Sequence, residues 1–367
     1  MKIPYVDLKA QYAQLKPQMD AKINELITNT AFIGGEEVAN FSRDFAKLYG
    51  VKHCLPLANG TDALFIAMKM LGIGVGDEVI TTSSSWISTS ETITLTGATP
   101  IFVDIDEYHT INPELIEAKI TARTKAIIPV HLYGQMADMN EIMKIAQKHN
   151  LKVIEDCAQS HFSELDSKRA GLWGECGTFS FYPGKNLGAY GDAGCLITSD
   201  DEFALNVKRF SNHGALKKHE HDVEGMNSRL DSIQAGVLNV KLPYILDWTQ
   251  KRIEVAQKYL NGLKGIDQIE LPGIRPNSVH SFHVFGILCE KRDELREYLN
   301  ENGISCQVHY PYALPLMPAY KRFGFKTSDF PKSYQLQEKE LSLPIYPEIS
   351  EDEINYVIEH IRMFYEG

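Results

Sequence analysis

The stretch SFYPGKNLGAYGDAG, which runs from Ser180 to Gly194, contains a single lysine, Lys185, and four glycines. A run rich in β-forming residues, Gly177 to Phe181, leads directly into this lysine. Schiff-base chemistry requires a lysine whose ammonium group can lose its proton, and burial of the side chain favours that loss. Glycines allow the backbone to pass close to a ligand. The competing interpretation is an exposed loop lysine, because most lysines lie at the surface.

Two earlier segments have features of ligand sites. The segment ANGTDAL, Ala58 to Leu64, follows a predicted strand and opens a predicted helix, so its free backbone N–H groups and the Thr61 hydroxyl suit a phosphate. A turn with an N-cap residue explains it equally well. Asp156 ends the predicted strand Lys152 to Asp156, and α/β proteins bind ligands at the carboxyl ends of parallel strands. Its carboxylate either pairs with a cationic ring nitrogen or caps a turn.

A fourth segment, GMNSRLD, runs from Gly225 to Asp231 and precedes a predicted helix. Ser228 or Asp231 serves as a helix cap in the simplest interpretation. The alternative is a ligand role for Asn227 and Arg229, which are polar side chains able to reach a phosphate or a carboxylate.

The first two-thirds of the chain alternates between helix and strand patterns. Apolar, β-rich runs predict strands at Val51 to Leu57, Glu78 to Thr82, Pro100 to Asp106, Lys125 to Leu132 and Lys152 to Asp156. Helical patterns lie between them, as in Thr61 to Leu71. The alternation predicts an α/β fold with a mostly parallel sheet and helices on both faces.

The pattern changes after about Asp231, where a long helical stretch begins. A capping box of Ser350 and Glu353 predicts the start of a final helix. We predict a large domain over residues 1–245 and a smaller α+β domain over 246–367. The other elements predicted in the smaller domain are a strand at His280 to Leu288, a helix at Lys291 to Asn302 and a strand at Ser305 to Tyr310.

Composition excludes several classes of protein. The net charge is -11, from 48 acidic and 37 basic residues, which argues against a general nucleic-acid-binding face. The six cysteines include no C-x-x-C pair and no zinc-site spacing, so neither a disulfide framework nor a metal is expected, and a reducing cytoplasm fits. No signal peptide and no membrane-spanning run is apparent, so we expect a soluble protein.

In order and spacing, the four segments resemble one family. The sequence is similar to the DegT/DnrJ/EryC1/StrS family of nucleotide-sugar aminotransferases, which depend on pyridoxal 5'-phosphate (PLP) and have the aspartate-aminotransferase fold, type I. The resemblance extends from IPYVDL, Ile3 to Leu8, to LPIYP, Leu343 to Pro347. It is most specific in Ser180 to Gly194 and in NSRL, Asn227 to Leu230. Neither a turn nor a cap requires so many matching residues, so the resemblance favours the ligand interpretation of all four segments.

The resemblance implies a role for each matching residue. Lys185 matches the lysine that forms the Schiff base, and Asp156 matches the aspartate that keeps the pyridine nitrogen protonated, which makes the ring an electron sink. The other implied cofactor contacts are Gly60, Thr61 and Ser180 at the phosphate, Gln159 near the ring hydroxyl, Trp86 stacked on the ring, and Asn227 reaching the phosphate from the partner subunit.

The substrate side is less sharply defined. His309 and Tyr310, in the segment VHYP, resemble the substrate-side wall, and a strand end packed between domains is an equally good interpretation. Arg229 is a weaker candidate for the carboxylates of the amino donor. After His161 the family usually has small residues, whereas this chain has Phe162 to Asp166, which puts the local loop shape and the substrate fit in question.

The function implied is transfer of an amino group from L-glutamate to a nucleotide-linked keto sugar, in a homodimer with shared active sites. The loops Asn59 to Leu64 and Lys185 to Gly191 look like the branch that acts on 3-keto sugars. A 4-keto-sugar aminotransferase is the alternative. Two further alternatives are a PLP-dependent sugar dehydratase, a branch that resembles this one with histidine in place of Lys185, and a non-enzymatic regulator.

Overall fold

The computed structural model describes residues 1–367, which form eleven α-helices and fifteen strands. The helices are α1 (Leu8–Thr28), α2 (Gly35–Tyr49), α3 (Gly60–Met70), α4 (Ser88–Thr96), α5 (Met139–His149), α6 (Asp201–Phe210), α7 (Ser232–Lys241), α8 (Ile245–Gly262), α9 (Arg292–Glu301), α10 (Pro331–Lys339) and α11 (Glu351–Glu366). The strands are β1 (His53–Leu57), β2 (Glu78–Thr82), β3 (Thr99–Val103), β4 (Thr124–Ile128), β5 (Lys152–Asp156), β6 (Glu164–Leu165), β7 (Lys168–Arg169), β8 (Cys176–Ser180), β9 (Gly194–Thr198), β10 (Ala215–Lys217), β11 (Glu220–His221), β12 (Ile269–Glu270), β13 (Ser278–Val279), β14 (Phe285–Cys289) and β15 (Glu340–Leu343).

A seven-stranded sheet in the order β1-β9-β8-β5-β4-β2-β3 forms the centre of the larger part. Only β9 runs antiparallel to its neighbours, β1 and β8, and the other neighbouring strands pair in parallel. The predicted α/β fold with a mostly parallel sheet is confirmed.

Both faces of this sheet are covered. Successive strand residues alternate between two apolar clusters: Val153 belongs to one of 35 buried residues, and Ile154 belongs to one of 17. A parallel sheet buried on both faces needs such continuous apolar runs, which explains why its strands were readable in the sequence. Helices α2, α5 and α7 contribute to the larger cluster, and α3 and α6 to the smaller.

The three-stranded antiparallel sheet β12-β14-β15 lies in the C-terminal part. It shares a third cluster of 22 buried residues with α8, α9 and α11. Ile3 also belongs to this cluster and bridges Ile304, although the predicted division assigned it to the large domain. Helix α8 has residues in two clusters, with Trp248 in the large one and Tyr259 in the C-terminal one. The division at 245 stays a prediction.

The two strands predicted in the smaller domain are wrong, one in its existence and one in its bounds, and three strands of the large sheet, β1, β3 and β4, have bounds that differ from the predicted ones by one to four residues. Ser305 to Tyr310 makes only a single bridge, at Gln307, because the neighbouring His309 N–H is bound by the Glu340 carboxylate instead of a strand. The strand predicted from His280 begins at Phe285. Its first residues use their backbone groups elsewhere: the Ser281 N–H donates to Gly134 O, and the Ser281 carbonyl accepts from the Asn186 side chain.

The predicted capping box of Ser350 and Glu353 is confirmed at the start of α11. Gly50 ends α2 in the left-handed conformation. All six cysteines are free and buried. None of the helices combines the length and the apolar character that crossing a membrane requires.

Candidate active site

The predicted site residues lie at one edge of the seven-stranded sheet. Asp156 is the last residue of β5 and Ser180 is the last residue of β8. Gly60 begins α3 directly after β1, and Trp86 follows β2. Carboxyl ends of parallel strands meet at the same edge, so the fold gathers segments that are far apart in the chain.

Lys185 lies in the loop after β8 with its side chain partly exposed. Its backbone N–H donates to Tyr182 O at 2.8 Å, which tightens the turn. The Nζ atom makes no hydrogen bond and no ion pair with the protein. Burial lowers the pKa of Lys185 to about 8, and the negative charge of Asp156 partly opposes this shift. The amine is therefore free to react and close to losing its proton at neutral pH.

Asp156 is a buried carboxylate whose loss of hydration is only partly offset by hydrogen bonds. Its Oδ2 accepts from the Thr89 hydroxyl at 2.8 Å, and its Oδ1 accepts from the Ala158 N–H at 3.2 Å. Burial raises the pKa of Asp156, and the hydrogen bonds from Thr89 and Ala158 and the charge of Lys185 lower it in part. A carboxylate in this position gains stability from a cationic partner within hydrogen-bond reach.

The start of α3 forms a cradle for an anion. The N–H groups of Gly60 and Thr61 lie in the first helical turn, where no intrahelical acceptor exists. A Cβ atom on Gly60 would lie 2.9 Å from Ser180 Cβ, so glycine allows this turn to approach β8. The Thr61 hydroxyl is 2.8 Å from the Ser88 hydroxyl. Free N–H groups, hydroxyls and the positive helix end suit a phosphate.

A set of three side chains is placed together beside this edge. The Gln159 Oε1 accepts from the Tyr133 N–H at 2.7 Å, and the Gln159 Nε2 donates to the Tyr310 hydroxyl at 2.8 Å. The Tyr310 ring centroid is 5.8 Å from that of Trp86. Trp86 is 58% exposed, which leaves a large aromatic face open for a planar ligand.

These features fit PLP by its chemistry. Lys185 offers an amine without a protein partner, Asp156 offers a buried anion for a ring cation, and Gly60, Thr61 and Ser180 form a cradle that a Cβ atom at residue 60 would fill. Trp86 and Gln159 are linked through Tyr310, which contacts both.

His309 lies in the wall contributed by the C-terminal part. Its Nδ1 is 2.8 Å from the Ser342 Oγ. Burial lowers the pKa of His309 to about 4, and the charge of Lys185 lowers it further, which places the imidazole near the lysine. Tyr310, the next residue, bonds to Gln159. The structure therefore brings both predicted wall residues to the pocket.

Asn227 and Arg229 are not brought to the lysine of their own chain. Both are exposed, and Asn227 forms a backbone bridge with Asn212. The Arg229 Nη1 donates to the Asn212 Oδ1 at 3.3 Å, and its side chain lines a cavity of about 740 Å³ bordered by α2, β1 and α6. Lys185 is absent from the lining of that cavity. Within one chain, Arg229 is thus without contact with the pocket.

The segment after His161, whose shape the sequence left in question, is part of the core. Phe162 is buried, with its ring 4.5 Å from that of Tyr49. Glu164 and Leu165 form β6, which pairs with β13. The larger residues here extend a small sheet towards the C-terminal part and leave Lys185 unobstructed.

Sequence reasoning missed Thr89, which holds Asp156. Five of the six buried residues in α4 are polar, and Thr89 is one of them. Buried helical positions are usually apolar, so a run of serines and threonines in a short helix beside the predicted strands was the available signal. The Thr89 hydroxyl is itself 2.8 Å from the Ser85 hydroxyl, which fixes its orientation.

Comparison with known proteins agrees with this geometry. The model of the DegT/DnrJ/EryC1/StrS aminotransferase family matches residues 13–362. A pleiotropic regulatory protein of Geobacillus stearothermophilus is 43% identical over 368 residues, covering 100% of this chain and 99% of the relative. A UDP-N-acetyl-3-dehydro-alpha-D-glucosamine 3-aminotransferase of Acidithiobacillus ferrooxidans is 40% identical over 369 residues, covering 100% and 98%.

A solved structure shows the same fold. The crystal structure of S. venezuelae DesV in complex with a ketimine intermediate superposes with a TM-score of 0.97 at 38% identity, covering 100% of this chain and 99% of that one. Family match, fold and pocket geometry together show that the chain belongs to the DegT/DnrJ/EryC1/StrS family and is a PLP-dependent aminotransferase.

Proposed function

We propose that this aminotransferase moves an amino group from L-glutamate to a nucleotide-linked 3-keto sugar. The observation that carries the proposal is Lys185, a lysine with a lowered pKa and an unbonded Nζ, within the electrostatic influence of the buried Asp156. An exposed lysine lacks the burial that lowers the pKa, and the buried Lys241 has a bonded Nζ, so Lys185 combines the two properties.

The residues divide the chemistry between them. When bound, PLP supplies an electron sink for the carbon that loses its proton. Lys185 is the covalent partner, and its freed amine takes the proton and returns it to a neighbouring atom. Asp156 stabilises positive charge on the ring nitrogen, and Thr89 holds the Asp156 carboxylate in place. The first turn of α3 binds the phosphate and fixes the distance to Lys185.

The third sugar carbon is the proposed position of the new amine. The Acidithiobacillus relative, 40% identical over nearly its whole length, is named for a 3-dehydro sugar substrate and for amination at that position. The loops Asn59 to Leu64 and Lys185 to Gly191, which look like the 3-keto branch, border the pocket on two sides. Incubation with glutamate and matched 3-keto and 4-keto nucleotide sugars tests the proposal, with NMR locating the amine. Amination of only the 4-keto sugar would contradict the assigned position and leave the PLP chemistry standing.

A regulatory role is the second candidate, because the Geobacillus relative is named as a regulatory protein. A regulator needs neither a reactive amine nor a buried partner for a ring cation, and this chain keeps both Lys185 and Asp156. Absorbance of bound PLP in the purified protein, and its change on adding glutamate, separates the two functions. A colourless protein without transamination would favour the regulator.

The active sites are proposed to be shared in a homodimer. Asn227 is exposed and lies away from the lysine of its own chain, as a residue that reaches the partner's phosphate must. Mixing inactive Lys185→Ala and Asn227→Ala subunits tests this, because a mixed dimer has one site with both residues intact. Failure to regain activity, or an active monomer, would contradict the arrangement. A cytoplasmic location is also proposed, supported by six free cysteines.

A further inference from the structure

A buried carboxylate, Glu340, lies behind the substrate-side wall of the pocket. It is the first residue of β15 and is 0% exposed. Its Oε2 accepts from the His309 N–H at 2.6 Å, and its Oε1 is hydrogen-bonded to the Ser342 hydroxyl. A Cβ atom on Gly286, in the neighbouring strand, would lie 2.9 Å from Oε1. The glycine in β14, which pairs with Ser342, therefore leaves room for this carboxylate.

Most of the polar groups of His309, and one face of its ring, contact other residues. Its Nδ1 is 2.8 Å from the Ser342 Oγ, and its ring stacks on Tyr5 with centroids 5.6 Å apart. Its carbonyl accepts from the Tyr133 hydroxyl. The remaining polar atom, Nε2, has no protein partner and is not among the fully buried unpartnered nitrogens, so it is available to a ligand.

Counting protons along these hydrogen bonds links the tautomer of His309 to the ionisation of Glu340. The Ser342 hydroxyl has one hydrogen, and an ionised Glu340 only accepts. When Glu340 is ionised, Ser342 therefore donates to Glu340 and His309 donates from Nδ1 to Ser342. His309 is neutral at physiological pH because burial, with the charge of Lys185, lowers its pKa to about 4. A neutral imidazole protonated at Nδ1 has a lone pair at Nε2.

We propose that Glu340, acting through Ser342, is a positioning residue that sets the tautomer of His309, so that Nε2 meets a hydroxyl of the sugar substrate as an acceptor when Glu340 is ionised and as a donor when it is protonated. The identity of the ligand rests on the proposed function, whereas the tautomer does not. Tyr310, the next residue, bonds to Gln159 and lies beside Trp86, which joins the segment of His309 to the other predicted site residues.

Protonation of Glu340 gives these hydrogen bonds a second arrangement. Burial raises the pKa of Glu340 to about 8, while the bonds from Ser342 and His309 and the charge of Arg292 lower it in part. A protonated Glu340 donates to Ser342, Ser342 then donates to Nδ1, and the proton of His309 moves to Nε2. The other titratable groups that face Glu340 are neutral, because burial raises the pKa of each: Tyr5, Tyr133, Tyr310, Cys289 and Cys306.

Glu340→Gln separates a positioning role from a structural one. The amide oxygen must face the His309 N–H, so the amide NH₂ faces Ser342. The direction of donation along the hydrogen bonds from residue 340 through Ser342 to His309 is then reversed. In the PLP-bound enzyme with ¹⁵N-labelled histidine, we expect the wild type to carry the His309 proton on Nδ1 well above the Glu340 pKa and on Nε2 well below it. The variant should carry it on Nε2 throughout. His309→Gln assigns the signals by their loss.

Activity gives the second measurement. At pH values above the Glu340 pKa, we expect Glu340→Gln to keep the absorbance of bound PLP and to lower kcat/KM for the keto sugar by about 10- to 100-fold, because a donor at Nε2 then replaces the acceptor of the wild type. Below that pKa the difference from the wild type should shrink. Glu338→Gln is the matched control, since Glu338 is exposed two residues earlier and bonds only to Gln337. It should retain wild-type values.

A tautomer that is the same in wild type and in Glu340→Gln would overturn the proposal. If that variant fails to fold, Ser342→Ala removes the link instead and should abolish the pH-dependent change of tautomer. Persistence of the change would equally overturn it. Absence of nucleotide-sugar turnover in the wild type, with the tautomer as expected, would count against the proposed function alone.

Discussion

Burial lowers the pKa of Lys185 and of Lys241 to about 8, although Lys185 stays partly exposed and Lys241 is fully buried. Their surroundings differ. The Lys241 Nζ, at the end of α7, donates to Gly188 O at 2.7 Å and lies 4.4 Å from the centre of the Tyr190 ring. The Lys185 Nζ has no protein partner. A lowered pKa alone therefore does not distinguish Lys185 from Lys241, whereas a lowered pKa combined with an unbonded amine does.

The adjacent carboxylates of Glu155 and Asp156 show the same contrast between a group that the protein binds fully and one that it binds only in part. Glu155 accepts from the backbone N–H groups of Gly171, Trp173 and Gly174 and from His131 Nε2, so its oxygens are fully used. Asp156 accepts only from Thr89 and Ala158. Along β5, successive side chains point to opposite faces. One residue position thus separates a carboxylate that anchors the 171–174 loop from one that is left to a ligand.

The largest effect on turnover is expected from substitutions in the lysine pair, Lys185 and Lys241. Lys185→Ala should lower turnover by about 10⁴-fold or more, because no other amine is placed to move the proton. Lys241→Ala should retain the absorbance of bound PLP and most of the activity. Steady-state assays and visible spectra of both variants decide this. Comparable losses in the two would mean that the unbonded amine is not the distinguishing feature.

At the second pair, Asp156→Asn should fold normally and lose about 10- to 1,000-fold in rate, the equivalent of the 1–3 pKa units that an adjacent carboxylate gives a cation. Glu155→Gln should instead lower the free energy of unfolding by roughly 1.5–3 kcal/mol, since its amide group cannot accept all four hydrogen bonds. Denaturant titration and kinetics of the two variants should give opposite profiles. A near-normal rate for Asp156→Asn with PLP bound would make Asp156 structural.

Lys241 also predicts a pH dependence of stability. Its folded-state pKa is lowered from 10.5 to about 8, so between these pH values the unfolded chain binds more protons and the free energy of unfolding rises with pH. Lys241 is fully buried, and the full rise amounts to roughly 3 kcal/mol. Lys241→Met should lack this rise in cofactor-free protein. Lys185 contributes in the same direction to both proteins, so the difference isolates Lys241. An unchanged slope would refute the assignment.

The smallest effect is expected at Thr89. Thr89→Val keeps the shape and removes one hydrogen bond to Asp156, which should cost a few-fold in kcat, in line with about 1 kcal/mol for a hydrogen bond. Thr92→Val is a matched control, because the Thr92 hydroxyl bonds to backbone carbonyls of its own helix. Equal effects on kcat in the two variants would mean that Thr89 acts only through stability.

The sequence by itself determined the sheet and singled out Lys185 as the candidate lysine. Strands β2 and β5 have the predicted bounds, and α11 begins at the predicted capping box, because apolar runs and caps act over a few neighbouring residues. Lys185 was identifiable because its glycine-rich surroundings are contiguous in the chain.

Only the tertiary structure decided which polar groups face each other across large separations in the chain. Ser305 to Tyr310 has the composition of a strand, yet the Glu340 carboxylate, 31 residues later, takes the His309 N–H. Thr89 reaches Asp156 across 67 residues, and Lys241 reaches Gly188 across 53. Hydrogen bonds depend on distance and angle within a few tenths of an ångström. Local patterns do not encode such distances, which arise only when the sheet and the C-terminal part pack together.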